Sequence, residues 1–118
     1  MASRPEPVKR AVELTDFHAP WCIQCALQWA ELEKLRVAAP GAFTIRRVDV
    51  EREPDVARAW GVRQIPTLIA LKDDREMERW VGTLEPHELR LLAEKFCGAE
   101  PIDERMIENL DNGRQGLQ

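Results

Sequence analysis

Leu14-Thr15-Asp16-Phe17-His18-Ala19-Pro20-Trp21-Cys22-Ile23-Gln24-Cys25 is the stretch on which the reading of this chain turns. Its beginning belongs to a short run, residues 11–17, whose apolar points Val12, Leu14 and Phe17 suit a strand. Ala19-Pro20-Trp21 breaks that run. From Cys22 to about Ala39 the apolar residues Ala26, Leu27, Trp29, Ala30, Leu32, Leu35 and Val37 recur at helical spacing, and Pro40-Gly41 stops them. Cys22 therefore stands where a strand gives way to a helix. The unpaired N–H groups and the dipole at a helix N-terminus stabilise an anion, and a thiolate is one. Cys22 is expected to be nucleophilic near neutral pH.

Cys25 lies about one turn further on and is expected to be less exposed. Two sulfurs so placed can close a small disulfide ring. Cys22 would attack a partner's disulfide, and Cys25 would then attack the Cys22 sulfur and release the reduced partner. Two rival readings stand beside this one. A zinc site wants about four ligands, and the chain offers this pair, a distant Cys97, and the histidines His18 and His87. Two inert buried thiols are the other, which leaves a Trp-Cys pair at a strand-to-helix junction without a reason.

Outward from this stretch, residues 43–50 end in β-branched residues and read as a strand. Pro54 opens a short helix through Trp60, closed by Gly61. Thr67 to Leu71 is an apolar run expected to be a buried strand. A polar turn at residues 72–75 leads to a returning strand, Met77 to Val81. Leu84-Glu85-Pro86 begins a last helix to about Cys97, with Leu89, Leu92, Ala93 and Phe96 on one face. The order predicts a βαβ unit, then a hairpin and a helix. This is an α/β fold with a mixed sheet and helices on both faces.

The 118 residues make one domain. Residues 1–9 read as a flexible arm, 10–98 as the folded unit and 99–118 as an acidic tail. In that tail Ile102, Met106, Ile107 and Leu110 could form the stripe of a short helix. With 17 Lys and Arg against 21 Asp and Glu, the net charge of −4 leaves no basic footprint for nucleic acid or for a membrane surface. No apolar run reaches the ~20 residues of a membrane span, and the N-terminus shows no signal-peptide pattern. The expected location is the cytoplasm, where a Cys pair of this spacing is read as catalytic or metal-binding.

The quoted stretch, together with Trp60-Gly61-Val62-Arg63-Gln64-Ile65-Pro66-Thr67-Leu68 and Val81-Gly82, resembles the thioredoxin family over about residues 12–97. The resemblance implies that Cys22 is the attacking thiol and Cys25 the resolving one. It implies that Pro66 follows a cis peptide beside the disulfide, with Ile65 offering its backbone to an extended substrate. Trp21, Trp60, Thr67 and Gly82 would complete the substrate surface. Asp16 matches the family's buried carboxylate, an odd residue for a half-buried strand. Burial should raise its pKa and let it take a proton from Cys25. Arg47 falls where the family often has a lysine facing that carboxylate.

The chain also departs from the pattern. Ile23-Gln24 stands where Gly-Pro is usual, which bears on redox potential. His18 replaces a tryptophan, and a protonated His18 would favour the thiolate. Ala30 replaces a helix-kinking proline. Trp29 and Trp80 are assigned to packing, Cys97 to a partly buried structural role, and His87 to none. Only about eleven residues precede the first strand, so the expected sheet has four strands and lacks the family's first strand and helix.

The implied function is that of a thiol–disulfide oxidoreductase. It would reduce protein disulfides without cofactor or metal and receive electrons from a reductase or another dithiol protein. A more oxidising isomerase-like member is one alternative, and a binding or chaperone module without redox turnover is another. The uncovered sheet flank leaves room for a weak homodimer.

Overall fold

The strand-to-helix junction at Cys22 sits at the end of a central strand, and the rest of the fold is built around it. A computed structural model describes residues 12–96. The arm, the acidic tail and Cys97 lie outside the described residues. Seven elements follow in order: β1 (Val12–His18), α1 (Ile23–Ala38), β2 (Phe43–Asp49), α2 (Pro54–Ala59), β3 (Thr67–Lys72), β4 (Arg75–Val81) and α3 (Pro86–Phe96). The sheet order is β2-β1-β3-β4. β1 runs parallel to β2 and antiparallel to β3, and β3 pairs antiparallel with β4. This is the expected four-stranded mixed sheet.

β1 and β3 are the inner strands, and a strand covered on both faces buries consecutive residues instead of every second one. Residues Leu14 to Phe17 are all buried, and so are Thr67 to Leu71. Successive side chains still point to opposite faces. Val12, Leu14, Leu68 and Ala70 pack with Leu32 and Leu35 of α1 and with Leu89, Leu92 and Ala93 of α3. Phe17, Ile69 and Leu71 face the other way, with Val48 of β2 and Ala57 of α2. By alternation Asp16 belongs to the face that α1 and α3 cover.

The hairpin turn is tighter than the polar stretch implied. Lys72 pairs with Arg75, leaving a two-residue turn of Asp73 (φ 54°) and Asp74 (φ 66°). Aspartate tolerates the left-handed region better than most residues, and positive φ at both positions matches the twist of the flanking strands. β4 starts at Arg75, two residues earlier than the expected Met77, because hydrogen bonding to β3 continues through charged, solvent-facing residues. Trp80 meets Phe96 edge to face, with ring centroids 5.6 Å apart, which closes α3 against the sheet.

Candidate active site

Cys22 is the N-cap of α1. Its φ of −90° and ψ of 103° are extended, and its Sγ accepts the Cys25 backbone N–H, at 3.1 Å. A sulfur thus fills the place where a serine or aspartate oxygen ordinarily satisfies the first free N–H of a helix. The first turn of α1 carries no acidic residue, so nothing in that turn opposes negative charge on Cys22. Cys22 and Cys25 are joined in a disulfide, with Cα atoms 5.2 Å apart. Cys22 is 9% exposed and Cys25 is 1% exposed. The inner sulfur is therefore reached through the outer one.

The two sulfurs lie against Ala19, with Ile65 and Val50 packed beside them. The Ile65–Pro66 peptide is cis. Two hydrogen bonds hold that turn in place. The Gly82 N–H donates to the Pro66 carbonyl at 2.8 Å, from a backbone at φ 98° that favours glycine. The Thr67 hydroxyl donates to the Gln64 carbonyl at 2.7 Å. Thr67 is buried, so its side chain fixes the loop from within. The Thr67 side chain is therefore not part of the exposed surface beside the disulfide.

Beside the disulfide runs a groove of about 400 Å³ lined by Trp21, Val50, Val62, Arg63, Gln64 and Ile65. Trp21 is 65% exposed, and its indole N–H donates to the Glu51 carboxylate. That bond fixes a broad apolar ring at the mouth of the site. Ile23 is 72% exposed, and Gln24 reaches Thr83 at 3.4 Å. Both midpoint residues thus face outward, next to the disulfide. Trp60 does not line the groove. It packs against the cluster of Phe17 and Ala57, because the short α2 ends there and turns its C-cap residue toward the sheet.

Asp16 has no exposed surface. Its Oδ2 accepts a hydrogen bond from Arg47 Nε at 3.1 Å, across the β1–β2 register that pairs the two residues. Its Oδ1 is buried with no partner among the described residues. Burial raises its pKa above 3.8, and the Arg47 charge and hydrogen bond pull it partly back. For His18 the structure gives a direction. Burial and the nearby Arg47 hold its pKa below 6.5, against smaller opposing effects of Asp16 and Asp49. The imidazolium form of His18 is thus disfavoured relative to a free histidine.

Gln28 was not among the residues singled out from sequence. It is buried in the middle of α1, and its Oε1 accepts the Leu84 N–H at 2.8 Å, tying α1 to the approach of α3. The signal was available: Cys25, Gln28, Leu32 and Leu35 share the buried stripe of α1. Among the described residues no three His, Cys, Asp or Glu side chains converge as metal ligands. None of the described helices is long and apolar enough to cross a membrane.

A disulfide capping a helix, with a cis-proline loop and an apolar groove beside it, can exchange disulfides with an extended polypeptide. Known proteins with matching sequence carry the same assignment. The family model described as Thioredoxin matches residues 6–95. A thioredoxin of Chlamydia muridarum is 37% identical over 90 residues, covering 76% of this chain and 87% of that protein. The mitochondrial thioredoxin of Mus musculus is 29% identical over 85 residues, covering 72% of this chain and 51% of that one. Among solved structures, a mutant thioredoxin from Halobacterium salinarum NRC-1 superposes with a TM-score of 0.69 at 30% identity. That match covers 78% of this chain and 80% of the other.

Proposed function

The chain belongs to the thioredoxin family, and we propose that Cys22 and Cys25 divide the work of its reaction, with Asp16 as the proton acceptor. The protein is a thiol–disulfide oxidoreductase that reduces protein disulfides and is itself reduced by a reductase. In the proposed sequence the Cys22 thiolate attacks one sulfur of the substrate disulfide, and the other substrate sulfur leaves as a thiolate. Cys25 gives its proton to the Asp16 carboxylate and attacks Cys22 Sγ. The second substrate thiolate departs, and the Cys22–Cys25 disulfide is left. Two electrons pass to the substrate; the Cys25 proton stays on Asp16 until it is lost to solvent, and the two substrate thiolates take their protons from solvent, so no cofactor is needed.

The observation that carries this division is the difference in position of the two sulfurs. Cys22 caps α1 at the mouth of the groove, and Cys25 lies beneath it. The substrate is read as an extended segment laid along Ile65, with Trp21 and the groove taking its side chains. Gly82 serves this surface by holding the Pro66 carbonyl. Residues 10–98 are taken as the working unit, and the cytoplasm as its place. A weak homodimer through a sheet flank belongs to the same reading and would show as a concentration-dependent mass in sedimentation.

The Cys25→Ser variant tests the division. With a thionitrobenzoate disulfide it is expected to accumulate a mixed disulfide on Cys22, seen by mass spectrometry. Cys22→Ser is expected to accumulate none at neutral pH. The mixed disulfide appearing on Cys25 in the second variant as fast as on Cys22 in the first would reverse the assignment.

A further inference from the structure

Arg47 is held from two sides. Its Nε donates to Asp16 Oδ2 at 3.1 Å, and its guanidinium carbon lies 4.2 Å from the centroid of the Trp29 ring. The partners come from different elements, Asp16 from β1 and Trp29 from α1. Trp29 is four residues after Cys25, one helical turn, so the two share a stripe of α1. Arg47 therefore joins the stripe that carries the resolving cysteine to the buried carboxyl. β2 is an edge strand, and the Arg47 side chain is 30% exposed. An arginine in that place would ordinarily extend its head into water. The indole face removes that freedom and shields the pair, since a guanidinium stacks on an aromatic ring while still donating from its edge.

We propose that Trp29 is a positioning residue: its ring holds Arg47 against one oxygen of Asp16, leaves the other oxygen free for the proton, and so sets the pH at which Cys25 resolves the mixed disulfide. The proposal rests on the reading of Asp16 as proton acceptor. The charges acting on Asp16 come from Arg47 on β2 and, with a smaller effect, from His18 on its own strand, whose charged form burial and Arg47 disfavour. β3 places Leu68 opposite Asp16, and α3 faces this side with Leu89, Leu92 and Ala93. Arg47 is thus the main charge that keeps the carboxylate form accessible. Without the ring, Arg47 moves toward water and the carboxylate is disfavoured further. The resolving step then needs a higher pH.

The test is the reaction of the reduced protein with one equivalent of 5,5′-dithiobis(2-nitrobenzoate), which releases two thionitrobenzoates in succession. The first release reports Cys22 and the second reports Cys25. Trp29→Leu is expected to slow the second release at pH 7 by about three- to tenfold. It should leave the first release unchanged, and the deficit should close as pH rises. Trp29→Phe, which keeps a ring face, should recover most of the rate. In an Asp16→Asn background Trp29→Leu should change nothing further. Trp29→Met, also without a ring, replaces the leucine variant if that one does not fold. An equal loss in both releases at every pH, or a loss that persists in the Asp16→Asn background, overturns the proposal. If Asp16→Asn alone leaves the second release unaltered, the reading of Asp16 falls and the proposal falls with it. An effect of Asp16→Asn without an effect of Trp29→Leu sinks the proposal alone.

Discussion

Asp16 carries a carboxyl on a central strand with no exposed surface, and that position costs stability wherever it is ionised. Its folded pKa is raised above 3.8. Between 3.8 and that raised value, the folded chain holds a proton that the unfolded chain releases. The stability Asp16 contributes is therefore full below about pH 3.8 and is lost as pH rises through the folded value. Asp16→Asn, of the same shape and neutral, is expected to raise the urea midpoint at pH 8, with the gain shrinking to nothing below pH 3.8. A variant less stable than the parent at pH 8 would contradict this. The carboxyl was legible in the sequence because aspartate is a poor choice inside a strand, Cys22 and Cys25 because their spacing performs chemistry, and Pro66 through the family resemblance of its surrounding motif. Thr67 and His18 were not. Thr67 turns inward to a carbonyl. The shift of His18 comes first from burial and then from the Arg47 charge, and both depend on how the strands pack and not on neighbours in sequence.

Helix α3 shows how an element is fixed by its buried face. Leu89 is fully buried between the helix and the sheet, whereas Leu91, two residues on, is exposed. Leu89→Ala is expected to cost about 2–5 kcal/mol. Leu91→Ala should stay within about 0.5 kcal/mol of the parent. Urea unfolding of the two variants side by side checks both figures, and equal losses would mean that the helix face is misassigned. The element order was legible because apolar periodicity changes at Pro40-Gly41, Gly61 and the polar turn. The start of β4 was not, since an edge strand takes its hydrogen bonds from β3 while exposing Arg75, Glu76 and Met77. Gln28 was passed over for a related reason. A glutamine in a helix reads as solvent-facing, although Gln28 lies on the buried stripe of α1, and its bond to the Leu84 N–H satisfies its oxygen there.

At the scale of the whole molecule, the sheet and α1 set a disulfide beside an apolar groove, and in the proposed function the substrate is met by that surface as well as by the sulfur. Trp21 stands at the mouth, exposed and tethered to Glu51. With disulfide-bonded insulin as substrate, Trp21→Ala should raise the KM by roughly five- to thirtyfold. Its rate with a small aromatic disulfide should change by less than about twofold, since little of the groove is used. Steady-state reduction of both substrates separates the two effects, and an equal loss with both would place Trp21 in the chemistry instead of in binding.

The central claim is that Cys22 and Cys25 form one dithiol–disulfide couple. The most direct test equilibrates the protein with glutathione buffers of graded ratio, quenches in acid and reads the thiol state by mass. The expected result is a single two-electron transition between the Cys22–Cys25 dithiol and disulfide, with the disulfide persisting in buffers dominated by reduced glutathione. Failure of any Cys22–Cys25 disulfide to form, even in fully oxidised glutathione, would contradict the account.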